Sequence, residues 1–264
     1  MQTLTISIIQ TNLYWENKAA NLQMLHKKIK DRESATEIVI LPEMFSTGFS
    51  MNPIALAETM DGETMEWMKK IAQEEKIILT GSIIICENEN YYNRLIWMLP
   101  NGQFGYYDKR HLFGFAKENE HYTAGKKRLI AQVKGWKINL QICYDLRFPV
   151  WARQTQNLNK EPEYDILIYV ANWPERRSHA WKTLLCARAI ENQCYVIGVN
   201  RVGNDGNNIY HSGNSLIVDA QGQILYHKAD DEDMFTIELQ KENLIKTREQ
   251  LPFLKDADVF SFTQ

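Results

Sequence analysis

Short apolar runs of strand type alternate along this chain with stretches of helical periodicity, and this order restricts the folds that the chain can adopt. Residues 3–10 alternate and are rich in β-forming side chains, residues 12–30 carry apolar residues at helical spacing, and residues 38–41 are a short apolar run. Such alternation is typical of α/β proteins, in which helices cover the faces of a sheet. We therefore predict an α/β fold with a single domain over residues 1–264.

The rest of the chain continues this pattern, with hairpins inserted. Residues 108–128 show no periodicity, and because long loops in compact domains are usually functional, we expect a functional or lid-like loop there. The tail over about 250–264 is aromatic and contains proline, so it is expected to pack on the body of the protein or on a partner subunit. The other predicted helices are 61–75, 148–157, 178–192 and 240–248; the other predicted strands are 77–86, 91–98, 103–107, 129–133, 136–142, 165–170, 194–199, 212–218, 223–226 and 234–239.

Charge and cysteine content argue against several classes of function. The chain of 264 residues has a formal net charge of −3, and its short basic clusters, such as Arg176-Arg177, fit solvated surface, so we expect no nucleic-acid partner and no membrane partner. No apolar stretch approaches the roughly 20 residues that a bilayer span needs. The amino terminus fits a strand rather than a signal peptide. The four cysteines form no C-x-x-C pair, so we expect a cytoplasmic protein with reduced thiols.

One cysteine stands at a predicted corner of the fold. Ile138, Leu140 and Ile142 form a buried-strand pattern that runs into Cys143, and Pro149 suits the first turn of a following helix. A strand–turn–helix corner holds a side chain on a rigid support and aims the next backbone N–H groups at whatever that side chain attacks. Cys143 is therefore a candidate nucleophile, although free cysteines are also common as small core residues.

Two further reactive side chains occupy equivalent positions. Glu43 follows the strand at 38–41, and Lys109 follows the strand at 103–107. Ligands in layered α/β folds gather beyond the carboxyl ends of the strands, so Glu43, Lys109 and Cys143 can converge there. Taken singly, each charged residue fits a solvated surface position. Together, a carboxylate base, an ammonium group and a thiol form a complete acyl-transfer set.

Three sequence blocks resemble the signature blocks of the nitrilase (carbon–nitrogen hydrolase) superfamily, in the order that the family has them. They are LPEMFSTGF at 41–49, YYDKRHLFGFAKENEHYTAG at 106–125 and LQICYDLRFPVWAR at 140–153. Family-like sequence continues through NWP at 172–174 and HSGNSLIVD at 211–219, so the resemblance covers nearly the whole chain. The second and third blocks are most similar to the bacterial omega-amidase branch of the YafV type.

The resemblance implies an αββα sandwich of two mixed sheets covered by helices, with no metal and no organic cofactor. It also implies a Glu-Lys-Cys active site, which falls on Glu43, Lys109 and Cys143. The family's second, supporting glutamate falls on Glu118, and the nearby Glu120 leaves that assignment open.

These residues imply covalent hydrolysis of an amide through a thioester. Glu43 takes the thiol proton, because a free cysteine has a pKa of about 8.5 and is mostly protonated at neutral pH. Lys109 and the backbone N–H of Tyr144 then stabilise the oxyanion. Glu43 protonates the leaving ammonia and later activates the water that hydrolyses the thioester.

The omega-amidase resemblance implies a small-molecule substrate, a dicarboxylate monoamide such as 2-oxoglutaramate. A substrate carboxylate needs a cation or several N–H donors, and Arg147 is the candidate, although an ion pair with Asp145 is an equal alternative. Trp173 follows a strand and is expected to line the pocket, with a core position as the alternative. Phe115 and Tyr122 are candidates for a lid.

Other interpretations of the same residues stay open. A nitrilase or an N-carbamoyl-amide hydrolase uses the same three residues, and a catalytically inactive binding protein on this fold is an alternative from another class. A papain-like peptidase is disfavoured, because the C-G-S-C-W context is absent and no histidine pairs clearly with Cys143. The six histidines form no zinc-ligand spacing, which disfavours metal-dependent hydrolysis.

The resemblance also implies a homodimer, since the family often dimerises through helices near the active-site face. The segment 150–152 and the tail residues Phe253, Phe260 and Phe262 are apolar enough for such an interface. They fit packing within one chain equally well.

Overall fold

Two β-sheets lie face to face in the computed structural model, which describes residues 2–154 and 161–261. The strands are β1 (Thr3–Gln10), β2 (Ile38–Ile40), β3 (Ile78–Glu87), β4 (Asn90–Met98), β5 (Phe104–Asp108), β6 (Ile130–Val133), β7 (Trp136–Ile142), β8 (Ile166–Val170), β9 (Tyr195–Val199), β10 (Val202–Asn204), β11 (Tyr210–Val218), β12 (Ile224–Ala229) and β13 (Asp233–Gln240). The helices are α1 (Lys18–Lys30), α2 (Pro53–Leu56), α3 (Glu63–Glu75), α4 (Glu118–His121), α5 (Pro149–Ala152), α6 (Ser178–Asn192) and α7 (Lys241–Gln250). Short 3₁₀ helices occupy Gly114–Ala116, Cys143–Arg147, Glu175–Arg177 and Phe253–Asp256. None of the helices in this described part is long and apolar enough to cross a membrane.

Each sheet combines parallel and antiparallel strands. The first has six strands in the order β13-β1-β2-β3-β4-β5, and the second has seven, in the order β10-β11-β9-β8-β7-β6 with β12 paired to β11. β1 and β2 run parallel with Ile6 opposite Ile38, and β7 and β8 run parallel with Ile138 opposite Ile166. Parallel neighbours need crossover connections, and α1 and α6 supply two of them, between β1 and β2 and between β8 and β9.

Helices cover the outer face of each sheet, and the inner faces pack together. Leu4 and Ile6 from the first sheet belong to one continuous buried core with Leu140 and Ile166 from the second. Side chains of α1 and α3 form a second buried cluster on the outer face of the first sheet, while α6 packs on β9 and β11. The central strands are buried on both faces, which explains their nearly continuous apolar sequence. The α/β fold that the sequence pattern predicts and the αββα sandwich that the resemblance implies are both confirmed.

The carboxyl ends of the central strands meet at one edge of the sandwich. Because β4 is antiparallel to both β3 and β5, β5 runs in the same direction as β3. The strands β2, β5 and β7 therefore deliver the residues that follow them, Glu43, Lys109 and Cys143, to a shared edge. Ligands bind at such an edge in α/β sheets.

Two helices are shorter than their sequence pattern predicts. α1 begins at Lys18 rather than near residue 12, because the side chain of Asn17 accepts a hydrogen bond from the N–H of Ala20 at 3.1 Å and caps the helix there. The helix predicted after the nucleophile candidate ends at Ala152, and its predicted continuation over 155–157 lies outside the described residues. The short elements α2 and β10 carry too little periodicity for a sequence prediction.

The described part of the tail packs on the body of the protein. Leu254 is buried, and the carbonyl of Leu251 accepts a 2.7 Å hydrogen bond from Nε2 of Gln193. Phe253 is exposed, while Phe262 lies outside the described residues.

Candidate active site

Cys143 lies at a sharp corner between β7 and the 3₁₀ helix that it begins. Its backbone φ is +43°, in the left-handed region that non-glycine residues rarely adopt. Strain of this kind costs about 1–3 kcal/mol and persists where the surroundings fix it, most often at functional sites. The N–H of Tyr144 belongs to the first turn of this helix, where N–H groups have no partner within the helix. The corner thus presents a thiol and a free backbone donor side by side.

The carboxylate of Glu43 is fixed through both of its oxygens. Oε1 accepts hydrogen bonds from Nζ of Lys109 and from Nδ2 of Asn93, each at 2.8 Å. Oε2 accepts from the backbone N–H of Asn172 at 2.8 Å. The side chain is fully buried, and its charge adds to the effect of burial in raising the pKa of the neighbouring Cys143 thiol. One carboxylate therefore bonds to the lysine and acts electrostatically on the thiol.

Lys109 is held between two carboxylates. Its Nζ lies 2.8 Å from Oε1 of Glu43 and 3.0 Å from each carboxylate oxygen of Glu118. Burial lowers the pKa of Lys109, but the charges of Glu118 and Glu43 outweigh burial and raise that pKa above its ordinary value. The amine therefore stays protonated and places a permanent positive charge beside Cys143.

The structure separates the two glutamates that were alternatives in the sequence. Glu118 is fully buried, contacts Lys109 and accepts a 2.6 Å hydrogen bond from the N–H of Phe113. Burial raises the pKa of Glu118, while the charge of Lys109 opposes that rise. Glu120 is exposed, and its carboxylate lies 3.7 Å from Nζ of Lys117. Of Glu118 and Glu120, Glu118 is therefore the one that contacts the buried lysine.

The thiol of Cys143 is protonated at rest. Burial raises its pKa well above the ordinary value, Glu43 raises it further, and Lys109 opposes both effects. Only a thiolate is a good nucleophile, so attack requires that the proton leave with the reaction. Glu43, the carboxylate whose charge acts most strongly on this thiol, is the candidate acceptor of that proton. The arrangement is suited to base-assisted nucleophilic attack.

A cavity of about 550 Å³ lies against Cys143 and Lys109. This volume falls within the range of small-molecule sites. Its walls combine aromatic surface with positive charge, which suits a small organic anion. The aromatic and cationic lining residues include Phe49, Phe113, Phe115, Trp173, Arg147, Arg176 and Arg177.

Arg147 lies on the wall of this cavity and is not paired with Asp145. Its guanidinium carbon lies 5.0 Å from the centre of the Trp173 ring. The carboxylate of Asp145 instead accepts hydrogen bonds from the hydroxyl of Tyr107 and from Nδ1 of His111, each at 2.8 Å. The alternative of an ion pair between Arg147 and Asp145 is wrong, because donors from another segment occupy the carboxylate.

Two of the three predicted aromatic residues line the cavity. Trp173 lines it while being only 4% exposed, and Phe115 lines it at 78% exposure. Tyr122 is buried in a small cluster with Met44, and its hydroxyl donates to the carbonyl of Ser50 at 2.6 Å. The lid position predicted for Tyr122 is therefore wrong, because its side chain is part of the interior.

The reactive cluster does not resemble a metal centre. Within residues 2–154 and 161–261, no three His, Cys, Asp or Glu side chains are grouped so as to hold a metal ion. The carboxylates of Glu43 and Glu118 converge on the ammonium group of Lys109 instead.

Both the sequence and the fold have relatives among known proteins. The sequence profile of the family described as carbon-nitrogen hydrolase matches residues 5–249. The chain belongs to the carbon–nitrogen hydrolase family. Omega-amidase YafV of Yersinia enterocolitica is 42% identical and aligns over 98% of this chain and 99% of that protein. The 2-oxoglutaramate amidase of Bacillus subtilis is 31% identical over 96% of each chain.

A solved structure shares the whole fold. It is that of a CN-hydrolase superfamily protein from Xanthomonas campestris with an arsenic adduct in its active site, and it is 40% identical with a TM-score of 0.97 over 100% of both chains. This carbon–nitrogen hydrolase is therefore an enzyme that acts on carbon–nitrogen bonds of linear amides.

Two asparagines of this carbon–nitrogen hydrolase complete the site, although the sequence reasoning assigned them no role. Nδ2 of Asn93 lies 2.8 Å from Glu43 and 3.3 Å from Glu118. Asn172 donates its N–H to the carboxylate of Glu43 and its Nδ2 to the carbonyl of Glu43, at 2.8 and 2.5 Å. Asn93 is a polar residue inside a buried stretch of a strand, and Asn172 comes two residues after the buried strand β8. These are the sequence signals that point to such positions.

Two arginines interpreted as solvated surface also belong to the cavity. The guanidinium carbon of Arg177 lies 5.0 Å from the centre of the Phe113 ring, and that of Arg176 lies 5.7 Å from the centre of the Phe115 ring. Their adjacency in sequence resembles an ordinary surface cluster. The turn of the chain after β8 places both on the wall of the cavity that Cys143 also lines.

Proposed function

We propose that this carbon–nitrogen hydrolase is an omega-amidase that cleaves the terminal amide of small dicarboxylate monoamides, represented by 2-oxoglutaramate, to the acid and ammonia. One observation carries the proposal: Glu43, Lys109 and Cys143 meet beside a cavity whose wall holds three arginines. A thiol with a base and a cation suits acyl transfer, and guanidinium groups suit a carboxylate. The names of two relatives, Omega-amidase YafV and 2-oxoglutaramate amidase, support the same class of substrate.

The first half of the reaction forms a thioester. Glu43 accepts the thiol proton as the sulfur of Cys143 attacks the amide carbon and the carbonyl electrons move to oxygen. Lys109 and the backbone N–H of Tyr144 stabilise that oxyanion, and loss of one such donor typically costs about 2.7–4 kcal/mol of barrier. The carbonyl re-forms as the carbon–nitrogen bond breaks. Glu43 gives its proton to the nitrogen, which leaves as ammonia.

The second half releases the acid. Glu43, ionised again, takes a proton from water as the water oxygen attacks the thioester carbon, an effect of about 10² to 10⁴ in rate. The intermediate collapses with cleavage of the carbon–sulfur bond, and the proton returns to the sulfur of Cys143. One carboxylate takes part in every proton transfer. The three hydrogen bonds that hold Glu43, from Lys109, Asn93 and Asn172, therefore position the proton acceptor for both halves of the reaction.

The arginine wall takes the distal carboxylate of the substrate. Burial lowers the pKa of Arg177, and the neighbouring positive charges of Arg176 and Arg147 lower it further. A bound carboxylate neutralises part of this crowded positive charge and accepts paired N–H donors from a guanidinium group. In a monoamide with a carboxylate at its other end, the amide can therefore lie at Cys143 while the carboxylate binds the arginines.

Ammonia release from a panel of substrates tests the proposal. Purified protein and its Cys143→Ala variant are compared on 2-oxoglutaramate, butyramide, a nitrile and an N-carbamoyl amino acid. We expect the highest kcat/KM for 2-oxoglutaramate, a much lower value for butyramide, which lacks the carboxylate, and no turnover by the variant. Turnover of the nitrile or the N-carbamoyl compound without turnover of 2-oxoglutaramate would contradict the substrate class and favour the corresponding alternative hydrolase.

A further inference from the structure

We infer that Asp145 is a positioning residue that fixes the separation between the corner carrying Cys143 and the segment carrying Lys109. This inference rests on the proposed function only through the roles of those two residues. Asp145 is fully buried and does not line the cavity, so it acts on the reaction through other groups.

On the nucleophile side, the Asp145 carboxylate closes the corner. Asp145 lies two residues after Cys143 in the same 3₁₀ helix, and its Oδ2 accepts the N–H of Ile142 at 3.0 Å. The bond ties the residue before the cysteine to the second residue after it. It therefore restrains the left-handed backbone of Cys143, at φ +43°, from relaxing to an ordinary conformation.

On the lysine side, the same carboxylate holds residues that bracket Lys109. Oδ2 accepts the hydroxyl of Tyr107 at 2.8 Å, while Oδ1 accepts the N–H of His111 at 2.9 Å and Nδ1 of His111 at 2.8 Å. Because an ionised carboxylate only accepts hydrogen bonds, Nδ1 of His111 carries its proton. Tyr107 and His111 stand two residues before and two residues after Lys109, so the carboxylate fixes the segment from both ends.

A second set of contacts joins the same two segments around this carboxylate. The hydroxyl of Tyr107 accepts hydrogen bonds from Nε1 of Trp151 at 3.0 Å and from the N–H of Arg110 at 3.2 Å. The ring of His111 stacks on Phe148 with centroids 3.9 Å apart. The hydroxyl of Tyr107 therefore has its donor committed to Asp145 and cannot turn elsewhere without leaving a buried group unpaired.

Because the Asp145 carboxylate bonds to both segments, it controls the distance between the Cys143 thiol and the Lys109 ammonium group, and this distance affects the rate. Displacement of a reacting group by about 1 Å typically lowers the rate by about 10²-fold. Loss of the carboxylate frees the two segments to shift relative to each other, while Arg176 and Arg177 line the cavity from another segment and keep their positions. The expected signature is a lower kcat with an unchanged KM.

The test is Asp145→Asn in the full chain, measured in two ways. With 2-oxoglutaramate we expect kcat to fall about 10²-fold while KM stays within about threefold. The second measurement is the rate of Cys143 alkylation by iodoacetamide as a function of pH. Because Lys109 lowers the pKa of this thiol, release of the lysine segment should shift the profile to higher pH.

Asp165→Asn is the matched control. Asp165 is also a buried carboxylate with several donors, among them the N–H of Lys137 and Nη1 of Arg248, but it lies just before β8, at the opposite end of the strand from the site. We expect this change to lower the melting temperature and to leave kcat and the alkylation profile at wild-type values.

Tyr107→Phe gives a second, milder variant in case Asp145→Asn does not fold. It removes one hydrogen bond to the carboxylate, together with the hydroxyl that accepts from Trp151 and Arg110, but it keeps the carboxylate and its bonds to Ile142 and His111. We therefore expect kcat to fall about 3- to 10-fold and the alkylation profile to move in the same direction. The inference is overturned if the folded Asp145→Asn variant keeps the wild-type kcat and profile, or if Tyr107→Phe does so when Asp145→Asn cannot be purified. Should the wild-type protein hydrolyse no amide, the proposed function fails, while the alkylation profile still decides whether Asp145 positions the thiol.

Discussion

Glu118→Gln removes one of the two negative charges that hold Lys109 and leaves the size of the side chain unchanged. Nζ of Lys109 lies 3.0 Å from both oxygens of Glu118 and 2.8 Å from Oε1 of Glu43. After the substitution, Glu43 is the remaining carboxylate partner of the ammonium group within this cluster. The lysine then has a single carboxylate partner and lies closer to Glu43, so in the proposed reaction its ammonium group is less well placed to stabilise the oxyanion.

The size of the effect follows from the bonds that are lost. A hydrogen bond between charged groups contributes about 1.5–3 kcal/mol. At about 1.36 kcal/mol for each factor of ten in rate, kcat should fall about 10- to 150-fold. KM should stay within about threefold, because Glu118 does not line the cavity.

Steady-state ammonia release from 2-oxoglutaramate, together with thermal melting, measures the prediction. Glu120→Gln is the control, since Glu120 is exposed, with its carboxylate 3.7 Å from Nζ of Lys117, and it should keep wild-type kcat. A wild-type kcat in Glu118→Gln, or an equal loss in Glu120→Gln, would refute the reasoning.

Three further predictions concern the nucleophile, the substrate carboxylate and the response to pH. Cys143→Ala should abolish ammonia release and the iodoacetamide adduct at this position in intact-mass spectrometry while keeping the wild-type circular dichroism; residual turnover would contradict the assignment. Arg176→Ala should raise KM for 2-oxoglutaramate about tenfold by removing a charged hydrogen bond and leave kcat/KM for butyramide unchanged; equal changes for both amides would count against a carboxylate site. Burial and the charge of Arg201 lower the pKa of His211 from 6.5 to about 4, so the unfolded chain binds a proton between these values that the folded protein does not. Stability to urea should therefore be fully present above pH 6.5 and fall by up to about 3 kcal/mol towards pH 4, and His211→Asn should remove that part of the decline.

The location of residues that follow strands can be predicted from the sequence, because the sheet fixes the edge at which they lie. A short apolar run predicts a buried strand, and a reactive residue just after it, such as Glu43 or Cys143, is predicted to lie at the carboxyl edge of the sheet. Lys109 follows the same logic after β5. The layered architecture and the neighbourhood of these three residues could therefore be predicted.

Side-chain partners within irregular segments could not be predicted in this way. Tyr122 and Phe115 stand in one aperiodic loop, and tertiary contacts bury the first and expose the second. Asp145 lies closer in sequence to Arg147 than to Tyr107, yet its carboxylate bonds to the tyrosine 38 positions away. Spacing along the chain carries no information about such contacts, because loops have no fixed period that relates sequence to direction.

Each sheet supplies only part of the reactive cluster. Glu43 and Lys109 come from strand ends of the first sheet, while Cys143 and Asn172 come from strand ends of the second. The docking of the two halves is therefore an assembly step for the chemistry as well as for the core. During refolding, amidase activity should appear only after the two sheets have docked. The rate at which activity returns should therefore report the docking of the sheets, whereas circular dichroism reports the formation of secondary structure.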